Sequence, residues 1–229
     1  MIATDHFVFL HLHKSGGTFV TEALLRFVPG ARAIGYHLPR RFVPAPDQDK
    51  PVLGTVRNPW SYYVSWYAFQ AARPEPNALF RTLSDNGRLG FEATIRNMLQ
   101  LGSGGDKLDP LIAALPAGYV GRGLNLPGPA LAPIRGSGLG FYSFLARHIY
   151  AGLGDAPRLV RMEQMREALA PAMEAAGYAP PPELRGFLSD QPARNTSVHG
   201  AYGEYYSPAL RDLVAERDAG LIEANGYAF

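Results

Sequence analysis

The sequence predicts an α/β protein, three layers deep, with helices on both sides of a mainly parallel central sheet. Two observations carry this. Short apolar runs rich in β-forming residues alternate with stretches whose apolar residues recur at helical spacing. The junctions between them are punctuated by Gly-Gly or Asn-Pro, and no internal repeat is present. The 229 residues are 47% hydrophobic and 18% charged, enough apolar material for a core and too little charge for disorder. The length favours one domain over residues 1–229.

His6 to Leu12 is a short apolar run and is expected to form a buried strand. Gly16-Gly17-Thr18 breaks it. Residues 19–28 then carry helical spacing, stopped by Pro29-Gly30. Residues 31–36 suggest a second short strand, and 37–50 a loop. Val52 to Val56 is another buried strand, followed by Asn58-Pro59, a helix cap with proline at the first helical position. A helix is expected through Ala72, then one or two helices over 77–100, broken near Asn86-Gly87. Residues 101–138 are crowded with Gly and Pro and are expected to form a lid or acceptor-site loop, with a short helix at 111–115. Beyond them a helix is expected at 140–150, a strand at 158–162, a helix at 163–176 and a long helix at 207–225.

Composition excludes several functions. There are no cysteines, so disulfides, zinc ribbons, iron–sulfur clusters and thiol nucleophiles are ruled out. No apolar run approaches the roughly 18–20 residues of a membrane span, and the first residues lack the pattern of a secretory signal, so a cytoplasmic location is expected. The 22 basic and 20 acidic residues are unevenly spread: eight and four over 1–73, eight and six over 74–160, six and ten over 161–229. The N-terminal excess suits a small anion and is too slight for nucleic acid.

His13-Lys14-Ser15-Gly16-Gly17-Thr18 lies where a strand turns into a helix, the arrangement that cradles an anion on backbone N–H groups. Lys14 adds a cation and Thr18 a hydroxyl. The lysine precedes the glycines and no upstream glycine opens the turn, so this is not a Walker A loop. An ordinary turn with a solvent-facing lysine remains the other reading. Arg57 follows the strand ending at Val56, at the end of an α/β sheet where ligands bind, and Ser65 lies two turns along the next helix. Together they could hold a second phosphate. Trp60, Tyr63 and Tyr67 are read as packing residues.

The two segments together resemble the PAPS-dependent sulfotransferases, PAPS being 3′-phosphoadenosine 5′-phosphosulfate, and more the bacterial and carbohydrate enzymes than the phenol and steroid ones. FLHLHKSGGTFV is similar to their 5′-phosphosulfate loop, GTVRNPWSYYVSWY to their 3′-phosphate motif, and RLVRMEQM to a late strand-to-helix segment. His13 stands where many members have proline. The resemblance implies a P-loop-like sulfotransferase fold and PAPS as co-substrate, with no metal required. It implies that Lys14 contacts the phosphosulfate bridge, with Ser15, Gly16, Gly17 and Thr18 on the 5′-phosphate and Arg57 and Ser65 on the 3′-phosphate. Arg194, in Arg194-Asn195-Thr196-Ser197, matches a late nucleotide loop. Without a secretory signal, the sequon within it is discounted.

A hydroxyl acceptor needs a base, and histidine, with an ordinary pKa of about 6.5, suits the task. His37 follows the second short strand, 23 residues after Lys14. A base at a similar interval occurs in some carbohydrate sulfotransferases, where it is a glutamate, and on that interval Lys14 and His37 are the expected catalytic pair. A loop histidine capping Gly35-Tyr36 remains the other reading, and Glu22 is a lesser candidate. His11 is read as a hydrogen-bonded core residue. Arg40 and Arg41 are open either to an acidic acceptor or to solvent. Tyr202, Tyr205 and Tyr206 are read as packing beneath the last helix. The acceptor is expected to be a small molecule or carbohydrate. An ATP- and magnesium-dependent small-molecule kinase and a non-catalytic nucleotide or anionic-glycan binding module are the alternatives.

Overall fold

A computed structural model of the chain describes residues 1–152, 154–190 and 200–229. They divide into two compact units, residues 1–57 with 146–196 and residues 58–145 with 197–229.

The first unit holds the sheet. Its strands are β1 (Ile2–Ala3), β2 (Val8–Leu10), β3 (Arg32–Ala33), β4 (Val52–Val56) and β5 (Arg158–Arg161), in the spatial order β3-β1-β2-β4-β5. β2, β4 and β5 pair in parallel, with Val8 opposite Val52 and Val56 opposite Arg161. β1 is antiparallel to both its neighbours, so four of the five strands share a direction. The fold is thus mixed α/β, a five-stranded sheet flanked by helices.

One face of the sheet is covered by helix α1 (Gly17–Phe27) and the helices Met165–Ala175 and Pro182–Asp190. Phe9, Leu53 and Val160 from three adjacent strands pack there against Phe19, Val20, Leu24, Met173 and Phe187. The opposite face receives Tyr150, the last residue of the helix Phe141–Tyr150. Its hydroxyl accepts from the Thr55 amide at 3.0 Å and donates to the Thr55 carbonyl at 2.7 Å. A Cβ on Gly54 would lie 2.4 Å from the Tyr150 ring, which explains a glycine in the middle of β4.

In the second unit the described regular structure is helical. It opens with α2 (Pro59–Ala71), whose N-cap Asn58 accepts from the Ser61 amide at 3.2 Å, as the Asn-Pro pair predicts. Helices Ala78–Leu83 and Phe91–Gln100 flank the expected break. Residues 101–138 contain the helices Leu108–Ala114 and Gly128–Leu131, with Leu108, Leu111, Leu126, Leu131 and Ile134 fully or nearly buried. That stretch is more ordered than its glycine content suggests. The long terminal helix is two, Pro208–Arg217 and Ala219–Asn225, interrupted at Asp218.

The interruption has a cause. Asp218 is fully buried and accepts from the Tyr63 hydroxyl at 2.8 Å and from the Ser143 amide at 2.9 Å. The Tyr63 oxygen in turn accepts from the Tyr142 amide at 3.2 Å. A Cβ on Gly140 would sit 2.6 Å from the Asp218 carboxylate. Trp60 and Tyr63 are buried, and Tyr67 packs on Phe80 and Phe91, so these aromatics are core. Tyr206 donates to the Trp60 carbonyl at 2.8 Å, and Tyr202 and Tyr206 both pack on Phe229, consistent with packing roles. Among the described residues no helix is long and apolar enough to cross a membrane.

Candidate functional site

β2 ends at Leu10, and the chain turns through residues 11–16 before α1 begins at Gly17. Lys14 and Gly16 both take left-handed backbone conformations, with φ of 55° and 81°. Glycine bears this freely, but lysine does not: a left-handed non-glycine residue costs about 1–2 kcal/mol. Gly17 is required for a different reason. A Cβ there would fall 1.9 Å from the His11 ring, so that imidazole lies directly against the first residue of the helix. The first N–H groups of an α-helix have no intrahelical partner, and the positive end of the helix lies at the same place. Ser15 is buried and its hydroxyl donates to the His13 carbonyl at 3.2 Å, bracing the turn from within, while Thr18 is exposed.

Arg57 extends from the end of β4, the parallel neighbour of β2, and donates to the Lys14 carbonyl at 3.3 Å. Two cations are thereby held around one turn. Burial, and then the Arg57 charge, lower the Lys14 ammonium from its ordinary 10.5 to about 8. A cluster that works against its own lysine is suited to an anion, which relieves the repulsion on arrival.

Behind the turn lie three imidazoles. His37 is buried, 6% exposed, and its ring stacks on that of His13 with centroids 3.6 Å apart and planes 19° from parallel. The His11 ring lies 4.2 Å from His37 on a tilted approach. His37 Nδ1 is 2.7 Å from the His11 carbonyl oxygen. A carbonyl only accepts, so Nδ1 carries the proton and Nε2 keeps its lone pair. Burial lowers His37 from 6.5 to about 4, against a smaller opposing effect of the His11 carbonyl. It is therefore a neutral imidazole at neutral pH, rather than the partly protonated group its ordinary value implies. Burial, then the nearby His37, also holds His11 well below its ordinary value.

Backbone conformation singles out the same turn. Five described non-glycine residues have positive φ: Asp85, Asn86, Asn125 and His37, of types that visit the left-handed region more readily, and Lys14, which does not. Lys14 and His37 both belong to this cluster.

The structure thus brings Lys14, Ser15, Gly16, Gly17, Arg57 and His37 together in the first unit, with Thr18 on the adjoining helix turn. Ser65 is buried on α2, in the second unit. Arg194 lies outside the described residues. His11 is not inside the strand, as the sequence suggests, because β2 stops one residue earlier and the ring turns onto Gly17. Arg40 departs from the solvent reading too: it is buried, its guanidinium donates to the Asp155 carbonyl at 2.7 Å, and it serves as a loop anchor. Arg41 is exposed over the Phe42 ring. Sequence reasoning missed His13 as a partner of His37. The available signal was the His-x-His spacing at 11 and 13, which places two imidazoles at the mouth of one turn. Among the described residues, no group of three or more His, Asp or Glu is disposed to hold a metal ion.

No protein-family profile matches the chain, and no curated protein matches it either. Among solved structures, it is similar to that of mouse sulfotransferase SULT7A1 complexed with PAP, at 13% identity and a TM-score of 0.48, covering 98% of this chain and 89% of that one.

Proposed function

We propose that the chain is a PAPS-dependent O-sulfotransferase, with Lys14 and His37 at the reacting centre. The observation that carries this reading is the turn itself: a strained lysine and a required glycine pair at the start of α1, with a second cation, Arg57, fixed to the lysine carbonyl. Such a site is built for a polyanion approached by backbone, which is what a phosphosulfate end demands. The sequence resemblance supplies the identity of that anion.

On this reading the residues fit the group they would hold. Gly16, Gly17 and Thr18 offer backbone and hydroxyl donors to the 5′-phosphate, and Ser15 braces the turn. Arg57 takes the 3′-phosphate, a role that the sequence resemblance extends to Ser65 and Arg194. The co-substrate supplies an activated sulfonate whose bridging oxygen leaves on the 5′-phosphate. His37 Nε2 accepts the acceptor hydroxyl's proton as that oxygen bonds to sulfur, and Lys14 stabilises the negative charge on the departing bridge oxygen. An imidazole held near 4 is a weak base when the site holds no anion. A neighbouring polyanion raises it, as opposite charge favours the protonated form. We take the acceptor to be a small molecule or carbohydrate hydroxyl, with residues 101–138 selecting it, and the protein to act as one domain in the cytoplasm without a metal.

Calorimetric titration with 3′,5′-adenosine bisphosphate, and separately with ADP and Mg²⁺, tests the reading. Metal-independent binding of the bisphosphate, lost in Arg57→Ala, is the expected result. Preference for ADP with Mg²⁺, or indifference to the 3′-phosphate, would overturn it in favour of a kinase.

A further inference from the structure

His13 occupies the position next to the strained lysine, and nothing in the nucleotide chemistry requires an imidazole there. Its geometry supplies a reason. The ring is face to face with His37 at 3.6 Å and 19°, and both of its nitrogens are buried. The His11 carbonyl lies 2.7 Å from His37 Nδ1. Tyr36 closes a further side, edge-on to His37 at 4.3 Å. A hydrogen bond from a ring nitrogen to a carbonyl survives only while the ring stays near one plane, since its geometry weakens steeply off line. The carbonyl selects the tautomer, and the stack holds the plane in which that selection operates.

We propose that His13 is a positioning residue for His37, its ring holding the His37 imidazole in the plane where the His11 carbonyl fixes the proton on Nδ1 and leaves the lone pair on Nε2. The arrangement rests on the reading of His37 as the base only for its purpose. The device itself is a property of the three residues 11, 13 and 37. Residues 11 and 13 flank Leu12, so one short stretch of chain contributes both the carbonyl and the stacking ring. His37 takes a left-handed backbone, φ 46°, at this position.

Long-range ¹H–¹⁵N spectra of histidine-labelled protein at pH 7 test this with neither nucleotide nor acceptor. In the wild type, His37 is expected as the Nδ1–H form. In His13→Ala the Nε2–H form gains about tenfold relative to it, as loss of one ordinary hydrogen bond implies. His13→Phe, which keeps a flat ring, retains the wild-type pattern. An Nε2–H form in the wild type overturns the proposal, as does an alanine variant identical to the wild type or a phenylalanine variant that behaves like alanine. If the alanine variant does not fold, the wild-type and phenylalanine spectra still decide. Failure here leaves nucleotide binding untouched. Failure of the bisphosphate titration with the tautomer intact removes the sulfotransferase reading and spares this one.

Discussion

Each unit of this protein buries a polar cluster, and the two clusters are built on opposite principles. In the second unit, Asp218 is enclosed with donors: the Tyr63 hydroxyl and the Ser143 amide reach it, and Gly140 makes room for it. Its carboxyl is raised by burial, and the bonds from Ser143 and Tyr63 offset part of that cost. The cluster of the first unit sets Lys14 against Arg57, strains the backbone at Lys14, and lowers the pKa values of His11, His37 and the Lys14 ammonium. A polar group that serves the fold is matched by the fold. Like charges set against each other beside a strained lysine suit an anion that is to come.

The sharpest way to break this contrast is to remove Asp218. Asp218→Ala orphans a buried hydroxyl and a buried amide, and is expected to cost about 4 kcal/mol in urea unfolding, with no compensating change in nucleotide binding. If that variant is as stable as the wild type, the second cluster is not structural.

Acid separates the clusters by sign. His37 resists protonation down to about 4 when folded, against 6.5 when unfolded, so its stabilisation is present above 6.5 and lost as pH falls through that window. The loss from His37 is about 3 kcal/mol by pH 4, and His37→Phe should remove that share, leaving His11, also held below its ordinary value, to act in the same direction. Asp218, whose folded pKa is raised, runs the other way: its contribution is present at low pH and lost as pH rises through the folded value. Unfolding midpoints between pH 7 and 4.5 in His37→Phe and wild type measure the first effect. An unaltered slope counts against it.

Lys14→Met sharpens the comparison from the functional side. It is expected to weaken 3′,5′-adenosine bisphosphate about 100-fold, through loss of charge-assisted bonds, while leaving stability unchanged or slightly raised. A large stability loss would place Lys14 with Asp218 as a structural group. The smallest effect is a proton count. With Lys14 near 8, anion binding raises its pKa and takes up about half a proton at pH 8, measurable by calorimetry in buffers of different ionisation heat.

Much of the scaffold of this site is legible in the amino-acid sequence. Val52–Val56 and the Asn58-Pro59 start of α2 stand where the pattern places them, because a five-residue apolar run and a cap-plus-proline pair are local signals. β1 and the helix Pro182–Asp190 are not legible in this way. A two-residue strand is too short to show a period, and exists only because β2 and β3 pair with it. The split at Asp218 is hidden because its cause is distant: the carboxylate's partners, Tyr63 and Ser143, lie 155 and 75 residues away.

What the amino-acid order determined by itself is the alternation of strands and helices, the glycine turn at the head of α1, and the arginine at the end of β4, since each follows from neighbours within one or two turns of chain. Only the tertiary structure decided that His11 lies on Gly17, that His13 stacks on His37 with the proton on Nδ1, and that Tyr150 demands Gly54. Those contacts join residues that no period or cap links, and burial holds His11 and His37 below their ordinary values.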